Sequence, residues 1–284
     1  MKNSFTNSVN HVLGLANIEL NTLTAKRLES GRLRHYYDGI SECDAVFPVP
    51  DGFVDAEHQE LLQLAAKHDA RFKTFLNCSD NNVSYSMDND YYTSPDAEIL
   101  YTIITRENPK VFLEVGSGNS TRIVRQSVID NQLDTKIVSV DPDPRIDVES
   151  FCDESHRKKA EDFSPEWFSE KLDPGDILFI DSSHQVKPGS DVVFLLLRVL
   201  PLLKEGVIVH IHDIFLPYEY PKQWIVENMW NWNEQYLVQA LLQAGAFKRV
   251  IWAAQYAFRT IDNFKAYFPN APSQLKANSL WVVV

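Results

Sequence analysis

Hydrophobic and polar positions alternate with two different periods along this chain. In the first third, apolar residues recur at the spacing of an amphipathic helix, which predicts helices over 8–30, 56–67 and 95–106. From residue 110 onward, short apolar runs alternate with helix-like segments. The pattern predicts strands at 111–115, 136–140, 177–180, 207–211, 248–254 and 280–284, and helices at 120–129, 191–203 and 234–242. Such alternation is typical of a parallel sheet with helices on both faces.

The same pattern suggests how the chain is divided. Residues 1–93 predict a helical N-terminal extension, and residues 94–284 predict an α/β domain with an aromatic-rich insertion at 215–236. Ser94 is predicted to cap the helix that begins at Pro95. The last two strands have little helix-like sequence between them, so we expect them to pair antiparallel at one edge of the sheet.

Composition and charge narrow the choice of partners. The 284 residues are 44% hydrophobic and 23% charged, as in an ordinary globular protein, and the formal net charge is -12. An acidic surface argues against a nucleic acid or an anionic membrane as the partner, because both are bound through basic patches. We therefore expect a small-molecule substrate, and a homo-oligomer remains compatible with the sequence.

The sequence also indicates a compartment. The N-terminus lacks a charged segment followed by an apolar core, and the longest apolar run, 192–203, is interrupted by Arg198 and Pro201. The three cysteines are widely spaced, which favours neither a disulfide framework nor a zinc site. A cytoplasmic protein is expected.

The most informative stretch spans residues 111–122 and reads V-F-L-E-V-G-S-G-N-S-T-R. Its apolar run ends in Glu114, turns through Gly116 and Gly118 and leads into a helix; we call residues 114–121 the glycine corner. Glycines allow a ligand to approach the backbone N–H groups at the start of a helix. The dinucleotide fingerprint requires glycine at position 121, where this chain has Thr121, so the corner is not typical of an NAD(P) site.

Acidic residues end four of the predicted strands, namely Glu114, Asp141, Asp181 and Asp213. Ligands of open parallel sheets bind at this edge of the sheet. Glu114 disfavours a pyrophosphate and suits a cationic or zwitterionic ligand. The carboxylate of Asp141 can accept both hydroxyls of a ribose.

These motifs resemble those of class I S-adenosylmethionine-dependent methyltransferases. E-V-G-S-G at 114–118 is similar to their first motif and V-S-V-D at 138–141 to their second, and the resemblance extends over residues 110–284. It implies a Rossmann-like doubly wound sheet with S-adenosylmethionine as the cofactor. The glycine corner would then hold the methionine part, Asp141 the ribose and Asp162 the adenine. The cofactor-binding residues predicted on this basis are Glu114, Gly116, Ser117, Gly118, Asp141, Asp162, Asp181 and Ser120, which stands where the family often has a third glycine.

A second set of polar residues follows the next two strands, with Asp181 and His184 after one and His212 and Asp213 after the other. Since the ends of neighbouring parallel strands face the same crevice, we expect these side chains to converge. Two chemistries remain open. Asp181, Asp213 and His212 can bind a hard divalent ion such as Mg²⁺, or His184 can remove a substrate proton without a metal.

This second set resembles the metal-dependent small-molecule O-methyltransferases, including the catechol and macrolide-sugar types. In the catechol type, a metal-binding Asp ends the fourth strand and a basic residue three positions later removes the proton. The resemblance implies that Asp181 is a ligand and that His184 is the base, with His in place of the usual Lys. The second metal carboxylate corresponds to Asp213. The family's third ligand follows directly, where this chain has Ile214, and we expect His212 to substitute for it.

Aromatic residues surround these strand ends in the sequence. Tyr218 and Trp224 lie in the insertion, and Tyr92 lies just before the α/β domain begins. We expect them to contact the substrate, because aromatic rings shape apolar and sugar-stacking pockets. The alternative is that they pack a cap onto the core or form a dimer contact.

The sequence therefore predicts an enzyme that transfers a methyl group from S-adenosylmethionine to a hydroxyl of a small metabolite, such as a sugar or a natural product. N-methylation remains open. One alternative is an NAD(P)-dependent oxidoreductase, against which Thr121 argues. The other is a non-catalytic S-adenosylmethionine-binding protein, against which the polar residues at the fourth and fifth strand ends argue.

Overall fold

The computed structural model describes residues 23–41, 43–54, 56–77, 85–271 and 275–284. The chain forms two compact units, one made of residues 1–44 and 220–231 and the other of residues 45–219 and 232–284. No helix among the described residues is both long and apolar enough to cross a membrane.

The smaller unit is helical in its described part. It contains helix α1, Leu23–Asp38, and a single π-helical turn, Gln223–Glu227. Within this unit, Lys222 Nζ lies 2.7 Å from Asp38 Oδ1. The helix predicted over 8–30 overlaps α1 from residue 23, and its earlier residues lie outside the described part of the chain.

A seven-stranded sheet forms the centre of the larger unit. Its strands are β1 Val111–Val115, β2 Lys136–Val140, β3 Glu154–His156, β4 Ile177–Ile180, β5 Ile208–Ile211, β6 Arg249–Ala253 and β7 Leu280–Val283. Their order is β3-β2-β1-β4-β5-β7-β6, and β7 runs antiparallel to both of its neighbours. The predicted doubly wound sheet with an antiparallel terminal pair is confirmed.

The central strands are mostly apolar on both sides because both faces of the sheet are covered. Alternation along each strand sends neighbouring side chains to opposite faces. Phe112 and Phe179 belong to the core on one face, and Leu113 and Ile180 belong to the core on the other. The carboxyl ends of β1, β2, β4 and β5 therefore meet at one edge, held by two full cores.

Helices cover both faces of this sheet. They are α2 Asp51–Val54, α3 His58–Lys67, α4 Asp69–Phe72, α5 Asp96–Glu107, α6 Asn119–Asn131, α7 Pro165–Lys171, α8 Asp191–Phe194, α9 Glu234–Gln243 and α10 Ala254–Thr260. Helix α8 continues as a π-helical turn, Leu195–Val199, and a 3₁₀ turn, Leu200–Leu202. The helix predicted over 191–203 thus keeps regular α geometry only in its first turn, and Pro201, which lacks an N–H, lies in the 3₁₀ end.

Two details of the predicted pattern are wrong. Helix α5 begins at Asp96 with Pro95 as its N-cap, so Ser94 does not cap it. Helix α10 lies between the last two strands, where no helix was predicted. Its two buried alanines, Ala254 and Ala257, are three residues apart, but seven residues are too few for a helical period to be recognised.

His58 at the start of α3 connects this helix to the end of β6. Its Nε2 accepts a hydrogen bond of 3.0 Å from the backbone N–H of Ala253, and its ring centroid lies 5.2 Å from that of Trp252. Burial lowers the pKa of His58 to about 4. The unfolded chain therefore binds a proton between about pH 6.5 and pH 4 that the folded protein does not, and stability falls as the pH drops through this window.

Replacing His58 with Gln should remove this contribution to acid sensitivity. Between pH 7 and pH 4 the free energy of unfolding of the wild type should fall by up to about 3 kcal/mol more than that of His58→Gln, because each unit of pKa difference corresponds to about 1.4 kcal/mol. Urea unfolding at several pH values measures the difference. His35→Gln, at an exposed position of α1, is the matched control and should leave the free energy of unfolding at pH 7 unchanged. An unchanged pH dependence in His58→Gln would contradict the assignment.

Candidate active site

The glycine corner is closed by contact with the neighbouring strand end. Gly116 has a φ of +87°, in the left-handed region that glycine favours, and its N–H donates to the carbonyl of Val140 at 3.1 Å. A Cβ on Gly116 would lie 1.7 Å from the carbonyl oxygen of Asp181. Only glycine fits here, so this position joins the ends of β1, β2 and β4.

Glu114 holds the corner from the inside. Its side chain is fully buried, and its carboxyl group accepts hydrogen bonds from the hydroxyls of Ser120 and Thr121 in the first turn of α6. Burial raises the pKa of Glu114 to about 8, against the opposing effect of these two hydroxyls. Glu114 and its hydroxyl partner Ser120 are both buried, and the direct contact with the cofactor predicted for them stays a prediction.

Asp141 lies at the rim of the corner and is firmly oriented. One carboxylate oxygen accepts the N–H of Ser117 at 2.8 Å, and the other accepts the N–H of Asp143 at 2.8 Å. The hydroxyl of Ser117 shares a hydrogen bond of 2.6 Å with that of Ser139. A carboxylate has about four lone-pair sites, so two remain on this half-buried group for a ligand.

The remaining predicted cofactor residues differ in their surroundings. A Cβ on Gly118 would meet nothing within 4 Å, so the corner is open at this point. Asp162 is exposed in a 3₁₀ turn, Ala160–Asp162, and accepts a long hydrogen bond of 3.3 Å from the N–H of Lys159. No hydrogen bond among the described residues links Asp162 to the corner, and its predicted contact with the adenine stays a prediction.

Three side chains converge at the ends of β4 and β5, and we call Asp181, His184 and Asp213 the acid–imidazole cluster. His184 Nε2 lies 3.4 Å from an oxygen of Asp181 and 3.6 Å from an oxygen of Asp213. One potential ligand atom from each residue lies within 4.8 Å of the others. His184 and Asp213 both have left-handed backbones, with φ of 56° and 54°, which turns their side chains toward each other after the strands end.

Electrostatics favour the charged forms of His184 and Asp181. Desolvation alone would lower the pKa of His184, but the carboxylates of Asp181, Glu234 and Asp213 outweigh it and raise that pKa well above its usual value. Desolvation would raise the pKa of Asp181, but His212 and His184 lower it below the usual value. Without a further cation, the ring of His184 therefore holds its proton at neutral pH.

His212 does not belong to the group of potential ligands, contrary to the prediction. Its Nε2 lies 3.9 Å from an oxygen of Asp213, and its ring packs against Tyr92, with the two ring centroids 5.0 Å apart. His210 lies two residues earlier on the same strand face and stacks on Phe179 at 3.9 Å. Among the described residues, His184 takes the place that the sequence assigned to His212.

Three residues that sequence reasoning missed support the cluster. Glu234 Oε2 lies 3.0 Å from His184 Nδ1. Asn278 donates from its amide to Asp213 at 2.9 Å, and its backbone N–H donates to Asp96 at 2.8 Å. Burial raises the pKa of Asp96 to about 6. Asp96 and Glu234 are the first residues of α5 and α9, but no local motif indicates which distant group each would meet.

The predicted substrate residues lie in different places. Tyr92 is buried, and its hydroxyl has no hydrogen-bond partner among the described residues. Tyr218 is buried with the guanidinium of Arg259 over its ring at 4.3 Å. Trp224 belongs to the smaller unit, where its ring centroid lies 5.1 Å from that of Trp230. Contact of any of them with a substrate stays a prediction.

Comparison with known proteins supports the class indicated by this geometry. Residues 113–214 match a family model described as a methyltransferase domain. This segment holds both the glycine corner and the acid–imidazole cluster. The match agrees with the resemblance to class I methyltransferases that the sequence motifs indicate, over the residues that the family model covers. No curated protein matches the chain.

Three solved methyltransferase structures are among those similar to this chain. An O-methyltransferase from Bacillus cereus in complex with SAH is 14% identical, with 91% of this chain and 99% of that chain covered and a TM-score of 0.42. The SAH-bound methyltransferase PaMTH1 from Podospora anserina is 15% identical, with 93% and 97% covered and a TM-score of 0.39. The O-methyltransferase TomG from Streptomyces achromogenes, in complex with SAM, is 17% identical, with 79% and 90% covered and a TM-score of 0.38.

Substitution of Gly116 tests the contact that closes the corner. Gly116→Ala should lower the free energy of unfolding by more than about 2 kcal/mol, because a left-handed alanine alone costs about 1 kcal/mol and the Asp181 carbonyl must also move. Gly31, exposed in α1 with nothing within 4 Å of an added Cβ, provides the control. Gly31→Ala should leave stability unchanged or raise it by up to about 1 kcal/mol. Chemical denaturation measures both, and wild-type stability in Gly116→Ala would contradict the packing described here.

Proposed function

We propose that this chain transfers a methyl group from S-adenosylmethionine to a hydroxyl of a small metabolite. The observation that carries the proposal is the contact of Gly116 with the carbonyl of Asp181. This contact places the glycine corner, which suits a cofactor, beside the acid–imidazole cluster, which suits proton transfer, at one edge of the sheet. The alternatives of an oxidoreductase and of a non-catalytic binding protein are outcomes of the tests below.

The cofactor would bind along the rim of the glycine corner. The two remaining lone-pair sites of Asp141 suit the two hydroxyls of the ribose. The open space at Gly118 allows the methionine part to approach the backbone at the start of α6. Glu114 contributes indirectly, since it holds the first turn of α6 against β1 through Ser120 and Thr121.

Methyl transfer is an in-line displacement at the sulfonium, and the protein must align the acceptor and remove its proton. The Nε2 atom of His184 faces the crevice side of the cluster, between Asp181 and Asp213, and is the proton acceptor that we assign. The two carboxylates can orient the hydroxyl. The same carboxylates also keep His184 protonated. A nearby positive charge, on the cofactor or on an ion, would offset them and allow His184 to lose its proton and act as the base.

The acid–imidazole cluster also fits a divalent ion. Two carboxylates and one imidazole lie within reach of a single centre, a donor set that suits Mg²⁺ or Mn²⁺. Asp181, His184 and Asp213 would hold the ion, in place of the predicted set that contained His212. Bound there, the ion would lower the pKa of a substrate hydroxyl.

The charge around the cluster limits the acceptor. Asp181, Asp213 and Glu234 lie together at the strand ends, in a chain of net charge -12. An acceptor with a phosphate or carboxylate near its reacting hydroxyl would be repelled, because these carboxylates are partly shielded from water. Neutral or cationic hydroxyl compounds, such as sugars and natural products, are the expected class.

Calorimetry should show that S-adenosylmethionine binds more tightly than NAD(H). Asp141→Ala should weaken that binding by roughly 10-fold or more, since two hydrogen bonds to a charged group are lost. Asp143→Ala keeps the backbone N–H that orients Asp141 and removes only an exposed carboxylate, so it should bind like the wild type. Tighter binding of NAD(H) would favour the oxidoreductase. Binding without transfer of a labelled methyl group to any of a panel of neutral hydroxyl compounds would favour the binding protein.

The ion is tested by the binding of Mn²⁺, followed by electron paramagnetic resonance without any substrate. Asp181→Asn and Asp213→Asn should each weaken Mn²⁺ binding by more than roughly 10-fold, the lower limit found even for outer-shell partners of metal ligands. Asp173→Asn, at an exposed surface pair with Lys204, should have no effect. If the wild type does not bind Mn²⁺ and a chelator leaves methyl transfer unchanged, the ion is excluded and metal-free catalysis by His184 stands.

A further inference from the structure

We propose that Glu234, the first residue of α9, is the positioning residue that fixes the ring of His184 for methyl transfer. The inference rests on the proposed function, because it assigns the partner of the proposed base. Glu234 lies 50 residues beyond His184 in the sequence, near the end of the aromatic-rich insertion at 215–236. It acts through His184 and touches neither Asp181 nor Asp213 by a hydrogen bond among the described residues.

The side-chain contact defines which nitrogen faces the crevice. Glu234 Oε2 lies 3.0 Å from His184 Nδ1, while Nε2 lies 3.4 Å from Asp181 and 3.6 Å from Asp213. An ionised carboxylate can only accept a hydrogen bond, so Nδ1 carries the proton that is donated to Glu234. A 180° flip of the ring would put Cδ2 in the place of Nδ1 and Cε1 in the place of Nε2, and would break this bond. Glu234 therefore leaves Nε2 as the nitrogen available at the crevice.

The backbone is held by the same segment. The carbonyl of His184 accepts hydrogen bonds from the N–H groups of Asn233 at 3.0 Å and Glu234 at 3.3 Å. The side chain of Asn233 also accepts the N–H of Val186 at 2.6 Å. These bonds hold His184 in its left-handed conformation, with φ of 56°. The start of α9 thus fixes both the position of the residue and the direction of its ring.

Packing completes the arrangement. The ring centroid of Trp232 lies 4.2 Å from that of His184, and both Glu234 and His184 are buried. The second carboxylate oxygen of Glu234 has no hydrogen-bond partner among the described residues. Only one carboxylate oxygen of Glu234 is hydrogen-bonded among the described residues, and its partner is the imidazole of His184. An apolar side chain of the same volume should therefore stabilise the fold about as well. What Glu234 provides and an apolar side chain would not is the hydrogen bond to His184.

Two substitutions separate positioning from folding. Glu234→Met fills the same volume without an acceptor, and Glu234→Gln keeps an acceptor oxygen for Nδ1. Glu234→Met should fold with wild-type thermal stability or better, bind S-adenosylmethionine as the wild type does, and lose roughly 10- to 100-fold in kcat at unchanged KM for an acceptor from the hydroxyl panel. Glu234→Gln should recover most of that loss. Glu166→Gln, in the exposed first turn of α7, is the matched control and should be unaffected.

The ring itself gives a readout that does not depend on turnover. In ¹⁵N-edited spectra of histidine-labelled protein at constant pH, the Nδ1–H of His184 should be protected from exchange with water, and His184→Asn should identify it by its loss. Glu234→Met should abolish the protection, and Glu234→Gln should retain it. Protection in folded Glu234→Met, or equal kcat in Glu234→Met and the wild type, would overturn the proposal. If the wild type fails to bind S-adenosylmethionine, the proposed function falls, while the spectra still decide whether Glu234 positions the ring.

Discussion

The carbonyl oxygen of Asp181 lies where the first atom of any side chain on Gly116 would be. This single contact sets the distance between the end of β1 and the end of β4. The N–H of Gly116 also donates to Val140 at the end of β2, so three neighbouring strand ends are held at one point. The corner that suits a nucleoside and the cluster that suits proton chemistry are close together because glycine alone permits this approach.

Carboxyl groups that are wholly or partly buried surround that point, and each is stabilised in a different way. Glu114 accepts two hydroxyl hydrogen bonds and has its pKa raised by burial to about 8. Asp181 lies beside two imidazoles, which lower its pKa. Asp213 is bound by the amide of Asn278. Removing a charged group from water is unfavourable unless other partners replace the water. Several carboxyl groups close together therefore indicate a site suited to a positively charged ligand or ion.

The fold could be predicted from sequence to a large extent, since its signal is local. Short, mostly apolar runs predicted the central strands. The acidic residues at their ends predicted the edge of the sheet at which the candidate site lies. Asp181 and His184 lie three positions apart in one loop, so their closeness could be expected from the sequence. The approach of Asp213 to them could be expected because neighbouring parallel strands end at the same edge of the sheet. The error at His212 also has a local cause: it shares a strand face with His210, and the two-residue period directs both rings toward the core around Phe179.

Long-range partners of the site could not be predicted in this way. Glu234 and Asn278 approach His184 and Asp213 only because the whole sheet is assembled, and neither stands in a recognisable motif. The left-handed conformations of His184 and Asp213 could not be predicted either, because a positive φ is expected at glycine and neither residue is a glycine. These backbone turns decide that His184, and not His212, completes the acid–imidazole cluster.

The most direct measurement is a crystal structure of the protein soaked with S-adenosylhomocysteine. The account predicts that both ribose hydroxyls lie within about 3.2 Å of the carboxylate of Asp141, with the sulfur in the crevice facing Nε2 of His184. A nucleoside bound away from Asp141, or a sulfur separated from His184 by the sheet, would contradict the claim that the glycine corner and the acid–imidazole cluster form one active site.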